Sequence, residues 1–248
     1  MNGPRIDAPS PNFGPRVAPP DMILLHYTGM ESGEAALARL RDPAAQVSAH
    51  YLVEEDGRVF ALVPEARRAW HAGAAFWRGA ADINGASIGV EMVNPGHEFG
   101  YRPFPDAQVA AVIALIADLR SRWTVPDARI LGHSDVAPGR KRDPGELFDW
   151  ARLALAGHGL WTEGPDSPPR ALGPELAEGA EGLGVAALQG ALRRFGYDAP
   201  AHGIYDTATS AIVTAFQRHW VQSRFDGVAD GPTRARLVSL LRLAGTSA

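Results

Sequence analysis

The sequence predicts an α/β domain with a mixed β-sheet covered by helices, followed by a small C-terminal helical domain. Two observations support the first domain. Short apolar runs of strand length are interspersed with amphipathic helical segments, and one pair of runs flanks a hairpin turn. A third observation separates the domains, because a Pro/Gly-rich stretch at residues 162–174 precedes three segments of purely helical periodicity. We therefore expect one domain at 1–161, a linker at 162–174 and a helical domain at 175–248.

The first elements follow a proline-rich N-terminal stretch that we expect to be irregular, so the compact fold is predicted to begin near Met22. Residues 22–26 (MILLH) form an apolar run too short for a helix, which indicates a buried strand. A helix is predicted over residues 32–40, with Ser32 as its N-cap.

A β-hairpin is predicted next. Residues 50–54 and 58–62 flank Glu55-Asp56-Gly57, and an Asp-Gly pair tolerates the positive φ of a tight turn. The apolar run at 86–93 (ASIGVEMV) predicts a further buried strand.

A long amphipathic helix and a short strand complete the first domain. Pro105-Asp106 is predicted to cap the helix, and five apolar residues share one of its faces: Val109, Val112, Ile113, Ile116 and Leu119. Residues 129–132 then predict a strand that ends at His133.

Composition excludes several classes of function. The net charge of −4 provides no broad positive field for binding nucleic acid, and no apolar stretch is long enough to span a bilayer. The chain has no cysteine, so disulfides, thiolate ligands and cysteine nucleophiles are absent. Any metal must be held by histidine and carboxylate side chains.

Two of the eight histidines occupy positions typical of ligand sites. His26 and His133 each stand where an apolar strand gives way to a polar loop, and the carboxyl ends of strands are where sites form in open α/β sheets. A zinc site with an open position needs a third protein ligand, for which Asp135 and Asp143 are candidates. The Pro138-Gly139 turn favours Asp143, but spacing alone leaves it equally an ordinary turn residue before Pro144.

Two further charged residues are candidates for chemistry. Glu91 lies inside an apolar strand, where an ionised carboxylate is costly unless it is paired or functional, and such a glutamate suits a general base. The alternative is a strand residue facing solvent. Lys141 lies close to the possible ligands in sequence and could stabilise an oxyanion, or it could belong to a solvated basic loop.

Five ordered motifs then identify a resemblance. They are HYTGM at 26–30, SAHYLVEEDGRVFALV at 48–63, AWHAG at 69–73, INGASIGVEMVN at 83–94 and ILGHSDVAPGRKRDPG at 130–145. Together they resemble the zinc-dependent N-acetylmuramoyl-L-alanine amidases of the AmpD/AmiD type, over roughly residues 10 to 155.

The resemblance implies a fold like that of peptidoglycan-recognition proteins and a specific set of roles. One Zn²⁺ per chain would be bound by His26, His133 and Asp143, with Glu91 as general base and Lys141 stabilising negative charge. Five residues fall in motifs that line or support the substrate groove of the family: His50, Trp70, His71, Asn84 and Arg140.

The C-terminal segment is similar to the three-helix peptidoglycan-binding module. Shared landmarks include Leu188-Gln189, Phe195-Gly196-Tyr197 and Ala215-Phe216-Gln217. His202 and Asp206 depart from the usual pattern of that module. Two interpretations therefore stay open, in which the module binds glycan or only braces the catalytic domain.

The resemblance implies hydrolysis of the amide between N-acetylmuramic acid, or its anhydro form, and the L-alanine of the stem peptide, in peptidoglycan recycling. The expected partners are muropeptides, including 1,6-anhydro-muropeptides, with intact peptidoglycan as a further candidate. Two other functions are weighed against it. One is a muropeptide sensor without hydrolysis, and the other is a structural zinc site in which Asp135 or His50 supplies a fourth ligand.

The start of the chain bears on location. It has no apolar signal segment, so we expect a cytoplasmic location, with a periplasmic location as the alternative if a signal peptide has been removed. We also expect the protein to be a monomer.

Overall fold

The computed structural model describes residues 5–162 and 173–245, and the chain divides into two units. The first unit contains Met1–Ala75, Asp82–His133 and Asp143–Gly159, and the second contains Phe76–Ala81, Ser134–Arg142 and Leu160–Ala248. Most of the predicted linker lies outside the described residues, so the boundaries at 161 and 175 stay a prediction. The second unit includes two short segments that precede the helical region in sequence, which the sequence did not predict.

Eight strands of the described residues form two sheets in the first unit. They are β1 (Ile6–Asp7), β2 (Phe13–Pro15), β3 (Met22–Tyr27), β4 (Tyr51–Val53), β5 (Val59–Ala61), β6 (Arg67–Ala69), β7 (Ser87–Met92) and β8 (Ile130–Gly132). The main sheet has the order β1-β5-β4-β7-β3-β8, and β2 pairs with β6 separately. Within the main sheet only the β4–β5 pair is antiparallel. The predicted mixed sheet and its hairpin are therefore confirmed.

Nine α-helices are found among the described residues. They are α1 (Gly33–Arg41), α2 (Ile83–Ala86), α3 (Gly96–Phe99), α4 (Asp106–Arg122), α5 (His133–Val136), α6 (Trp150–Leu155), α7 (Leu183–Phe195), α8 (Thr207–Trp220) and α9 (Gly231–Leu243). Within residues 5–162 and 173–245, none of them has the length and hydropathy to cross a membrane.

The helix N-termini test two predicted caps. Ser32 caps α1, because its side chain accepts a hydrogen bond from the Ala35 amide, as predicted. The helix α4 begins at the predicted Pro105-Asp106 pair, with Pro105 at the N-cap position and Asp106 as the first helical residue, but no side-chain hydrogen bond caps it. The Asp106 carboxylate still lies at the positive end of the helix dipole.

The core of the first unit lies around β3 and the apolar face of α4. Residues 22–25 have no exposed surface. Four of the five residues predicted for the face of α4 are buried and Ile113 is half-buried, while Leu115 is also buried. This all-round burial on β3 explains why its sequence is continuously apolar rather than alternating.

The N-terminal stretch corrects one prediction. The fold begins before Met22, because β1 pairs in parallel with β5, and β2 pairs antiparallel with β6. Ala8 belongs to the same buried cluster as Leu52 and Phe60. Proline is compatible with these strands because they lie at sheet edges, where an absent N–H costs no ladder bond.

The helices of the second unit repeat one hydrogen-bonding device. Gln189 on α7 bonds the Gly203 amide, the Ile204 carbonyl and the Thr209 hydroxyl. Gln217 on α8 bonds the Gly227 amide, the Val228 carbonyl and the Thr233 hydroxyl in the same way. Each buried glutamine thus ties the end of one loop to the start of the next helix.

Candidate metal centre

Three neighbouring parallel strands end at the candidate site. His26 lies near the carboxyl end of β3, and its register partner on β7 is Glu91. His133 follows Gly132, the last residue of β8, which is in register with Leu25. Register partners leave a sheet on the same face, so His26 and Glu91 project from one side of it. The positions of these residues at strand ends agree with the expectation from the sequence.

Asp143 lies ten positions after His133 in sequence and next to it in the structure. Gly132 has no side chain, and a Cβ there would lie 2.7 Å from the Pro144 ring, so the chain after Asp143 approaches the end of β8 closely. The Tyr101 hydroxyl donates to the Pro144 carbonyl at 2.7 Å and accepts from the Leu147 amide at 3.0 Å. These contacts hold the segment that follows Asp143.

Three ligand atoms converge at the centre of the site. The distances are 3.0 Å between His26 Nδ1 and His133 Nδ1, 2.9 Å from His26 Nδ1 to Asp143 Oδ2, and 3.0 Å from His133 Nδ1 to Asp143 Oδ2. All three side chains are buried. Among the described residues, this trio forms the group that could hold a metal ion.

The protonation of His133 follows from its other ring nitrogen. Its Nε2 atom lies 2.9 Å from the Ala72 carbonyl oxygen, which can only accept, so Nε2 carries the proton. In the neutral ring the Nδ1 atom then presents a lone pair toward His26 and Asp143. A backbone carbonyl in this role is typical of histidines that bind metals.

A longer chain of hydrogen bonds fixes His26 in the same form. The Ser87 hydroxyl donates to the Ile83 carbonyl at 2.6 Å, so its oxygen accepts from His71 Nε2 at 3.4 Å. Burial lowers the pKa of His71 well below its usual value, so that ring is neutral and its Nδ1 accepts. His26 Nε2, 3.0 Å away, therefore donates. The Nδ1 atom of His26 is left with a lone pair.

These residues fit a divalent cation. Two imidazole nitrogens with lone pairs and one carboxylate oxygen lie within 3.0 Å of one another. The ring proton of each histidine lies on its opposite nitrogen. Burial raises the pKa of Asp143, but positive charge on His133 and His26 lowers it below its usual range, and a bound cation in place of that charge would favour the ionised carboxylate in the same way. Two histidines and one carboxylate are ligands that zinc accepts in sites with an open position.

Gly89 makes room for the chain of bonds behind His26. It lies inside β7, and a Cβ there would come within 2.5 Å of the His71 ring. Its amide also donates to His50 Nδ1 at 2.9 Å. A glycine inside a strand often marks such a close approach, and this was the available signal in the sequence.

The predicted groove residues differ in how far they are buried. His50 has no exposed surface, and its Nε2 donates to the Arg67 carbonyl. Burial lowers the pKa of His50 to about 4. Asn84 is also buried, and its Oδ1 accepts from the amides of His71 and Ala72. Trp70 and His71 are partly exposed.

Two of the remaining predicted residues lie on the segment between His133 and Asp143, and the third lies on β7. Arg140 is exposed and Lys141 is partly exposed, in a turn closed by bonds from both amides to the Ala137 carbonyl. Both belong to the second unit. Glu91 is partly buried on β7. Their catalytic and binding roles stay predictions.

Two alternative fourth ligands are not in the cluster. Asp135 bonds His219 and Tyr197 instead, and both ring nitrogens of His50 bond backbone groups. The expectation that either could close a four-ligand structural site is therefore wrong. A zinc ion held by three protein ligands keeps a fourth position open for water or substrate.

Sequence reasoning missed a polar cluster beside the ligands. His97 lies 3.0 Å from the hydroxyl of Tyr27, the residue after His26, and 3.2 Å from Glu146, three residues after Asp143. Its ring stacks on Tyr101 with centroids 4.3 Å apart. This cluster supports the chain on both sides of the metal ligands. No spacing pattern marks it, because its members come from the end of β3, from α3 and the residues just after it, and from the segment after Asp143.

Comparison with known proteins decides the family. Residues 16–146 match the family described as "N-acetylmuramoyl-L-alanine amidase", and residues 181–237 match "Putative peptidoglycan binding domain". The chain is 36% identical to N-acetylmuramoyl-L-alanine amidase AmiD of Escherichia coli K12, over 90% of this chain and 83% of that protein. The chain belongs to the N-acetylmuramoyl-L-alanine amidase family.

Further similarities of this amidase extend to AmpD and to solved structures. It is 33% identical to 1,6-anhydro-N-acetylmuramyl-L-alanine amidase AmpD of Enterobacter cloacae, over 66% of this chain and 96% of that one. The structure of E. coli AmiD with anhydro-N-acetylmuramic acid-L-Ala-D-γ-Glu-L-Lys matches with a TM-score of 0.78 and 33% identity, covering 93% and 91% of the two chains. AmpDh3 of Pseudomonas aeruginosa matches with a TM-score of 0.77 and 29% identity, covering 92% and 93%.

Proposed function

We propose that the protein is a zinc-dependent hydrolase that cleaves the amide between N-acetylmuramic acid, including its 1,6-anhydro form, and the L-alanine of the stem peptide. The observation that carries the proposal is the convergence of two imidazole lone pairs and one carboxylate on one point. His26, His133 and Asp143 would hold the zinc. Family membership and the relatives bound to anhydro-muramyl peptides support this substrate class.

The metal and Glu91 would have different roles in the hydrolysis. When bound, zinc supplies Lewis-acid chemistry, since it polarises a carbonyl and lowers the pKa of water toward about 7. Glu91 would accept the proton of the attacking water and deliver it to the leaving amine of L-alanine. Its place beside His26 in the register of β3 and β7 supports this role. General acid–base catalysis of this kind contributes about 10² to 10⁴ in rate.

Lys141 would stabilise the oxygen that becomes negative as the amide carbon turns tetrahedral. An ammonium is suited to this because it carries a full positive charge and three donors. Its position two residues before Asp143 supports the assignment. Replacement of Lys141 by Ala is expected to leave zinc bound and to lower turnover by about 10²-fold, as for other lost oxyanion donors.

Some of the groove residues would contact the substrate, and others would hold the neighbouring chain in place. Trp70, His71 and Arg140 each keep exposed surface and would contact the muropeptide. His50 and Asn84 are buried and would hold the segment at residues 71–72 and strand β7 in place.

A mass-spectrometric assay tests the function. The purified chain is incubated with anhydro-muramyl-tripeptide and, in parallel, with intact sacculi, each with and without a chelator. Release of free peptide that stops on chelation and returns with zinc is the expected result. No release from either substrate by zinc-loaded protein would contradict it and would favour a muropeptide-binding protein.

The same assay addresses the biological role. We infer that soluble anhydro-muropeptides are the preferred substrate, as recycling requires, so their initial rate is expected to exceed that on sacculi. The cytoplasmic location stays a prediction, and detection of the native protein only in periplasmic fractions would contradict it.

A further inference from the structure

The second unit is more than a bundle of C-terminal helices. It includes residues 76–81 and 134–142, which both lie inside the amidase family match at 16–146. The segment at 134–142 joins two candidate metal ligands, because it begins after His133 and ends before Asp143. It also carries Lys141. The helical unit is therefore built around the loop on which the proposed chemistry depends.

One side chain of that loop is anchored with both of its oxygens. Asp135 has no exposed surface; its Oδ2 accepts from His219 Nδ1 at 2.7 Å, and its Oδ1 accepts from the Tyr197 hydroxyl at 3.2 Å. His219 lies on α8, and Tyr197 follows α7. A buried carboxylate is strongly destabilising unless donors satisfy it, so this arrangement favours one position of Asp135.

The anchor acts on the backbone of a metal ligand. Asp135 and His133 belong to the same single turn, α5. A turn of four residues has few bonds of its own, so the position of Asp135 helps to determine the path of the chain that leaves His133. The next residue, Val136, accepts a hydrogen bond through its carbonyl from the Phe76 amide at 2.8 Å.

The segment at 76–81 is fixed to the same helices. Trp77 is fully buried, with its ring edge-to-face against Phe195 at 5.8 Å and Tyr197 at 5.0 Å between centroids. The Arg78 amide donates to the Gly196 carbonyl at 2.9 Å. A Cβ on Gly196 would lie 2.6 Å from the Trp77 ring, so only glycine permits this approach.

We propose that the helical unit positions the catalytic loop, and that Asp135, His219 and Tyr197 are its positioning residues. The inference rests on the proposed roles of the metal ligands and Lys141. A module that served only to bind glycan would need no buried hydrogen bonds to a loop between two metal ligands. Small displacements of catalytic groups can lower rates by about 10²-fold, so an anchor of this kind has a measurable effect.

The test uses three variants of the full chain. Asp135→Leu replaces the carboxylate by an apolar branched side chain and removes both hydrogen bonds, whereas Asp135→Asn can keep both if the Tyr197 hydroxyl changes from donor to acceptor. Gln217→Leu is the control, because it removes buried bonds two residues from His219 on α8 without touching Asp135. Each variant is measured below its unfolding temperature for kcat, KM and zinc affinity, the last by competition with a chelator.

Asp135→Leu is expected to lower kcat and zinc affinity each by about tenfold or more, the range typical of residues that support metal ligands, with KM changed less than kcat. Asp135→Asn should restore most of both values. Gln217→Leu should lower the thermal midpoint and leave kcat and zinc affinity near those of the parent chain.

Two results would overturn the positioning role: parental kcat and zinc affinity in Asp135→Leu, or equal losses in Asp135→Leu and Gln217→Leu. If Asp135→Leu does not fold, Tyr197→Phe, which removes one hydroxyl, is measured in its place and judged against the same control. Absence of peptide release by the parent chain would count against the proposed function instead, and the zinc affinities would still decide the positioning role.

Discussion

Two buried clusters of histidine and aspartate differ in where their protons lie. In the second unit His219 and Tyr197 donate to Asp135, so every polar atom of the carboxylate has a donor. In the first unit His26 and His133 donate away from Asp143, and three acceptors are left facing one another. The first pattern is complete without an ion, whereas the second is suited to a cation. Proximity of histidine to aspartate therefore predicts little until the second ring nitrogen is considered.

The largest expected effect comes from removing one acceptor. His133→Ala deletes one of the three ligands, so zinc binding is expected to fall below detection and turnover to decrease by at least about 10³-fold, equivalent to several kcal/mol. His219→Ala is the matched variant in the other cluster and should still bind one zinc per chain at saturating metal. Metal analysis after dialysis measures both. Equal metal loss in the two variants would remove the distinction between the clusters.

Glu91→Gln separates proton transfer from metal binding. The amide has nearly the same shape as the carboxylate but cannot act as a base at neutral pH, so kcat should fall by about 10²- to 10⁴-fold. Zinc content should remain that of the parent chain, since Glu91 is not in the ligand cluster. Steady-state kinetics with metal analysis checks this. An active Glu91→Gln enzyme would assign the general base elsewhere.

A fourth buried histidine, His50, predicts a pH-dependent stability. Burial lowers the pKa of His50 from 6.5 to about 4, so the unfolded chain binds the proton more readily. This contribution is complete above pH 6.5 and is lost as pH falls from 6.5 toward 4, to a total of about 3 kcal/mol. His50→Gln removes the titration.

Urea unfolding across pH 4 to 8 measures the difference between parent chain and His50→Gln. The free energy of unfolding of the parent should decrease more steeply below pH 6.5 than that of the variant, and the two slopes should agree above it. Parallel curves over the whole range would show that the burial of His50 does not drive the acid sensitivity.

The smallest expected effect concerns the support behind His133. Asn84 accepts from the amides of His71 and Ala72, and the Ala72 carbonyl accepts from His133. Asn84→Leu should therefore weaken zinc binding by about tenfold, as loss of residues behind a ligand typically does. Asn84→Asp keeps the accepting oxygen and is expected to stay closer to the parent. Competition with a chelator measures the affinities, and no difference between the two variants would contradict this role.

The sequence predicted those parts of the molecule that depend on local pattern. The apolar run at 22–26 and the Asp-Gly turn at 56–57 correctly predicted β3 and the β4–β5 hairpin. The positions of His26 and His133 at strand ends made them candidates for the site. Spacing could not choose between Asp135 and Asp143, because the choice depends on donors from α8 and on the absence of a side chain at Gly132.

Long-range contacts account for what the sequence missed. Strands β1 and β2 lie in a proline-rich stretch whose local preference is irregular, and partners near residues 60 and 68 supply their pairing. The grouping of residues 76–81 and 134–142 with the C-terminal helices is likewise invisible in local periodicity, since it depends on Trp77 and Asp135 finding partners more than sixty residues away. The protonation of His26 depends on three residues from separate parts of the chain, which are His71, Ser87 and Ile83.

The central claim is that His26, His133 and Asp143 form a centre that binds one zinc ion. The most direct measurement is a crystal structure of the zinc-soaked protein with diffraction collected at the zinc absorption edge. We predict a single anomalous peak within bonding distance of His26 Nδ1, His133 Nδ1 and Asp143 Oδ2, and no peak at Asp135 and His219. A peak at the second cluster, or none at the first, would contradict the account.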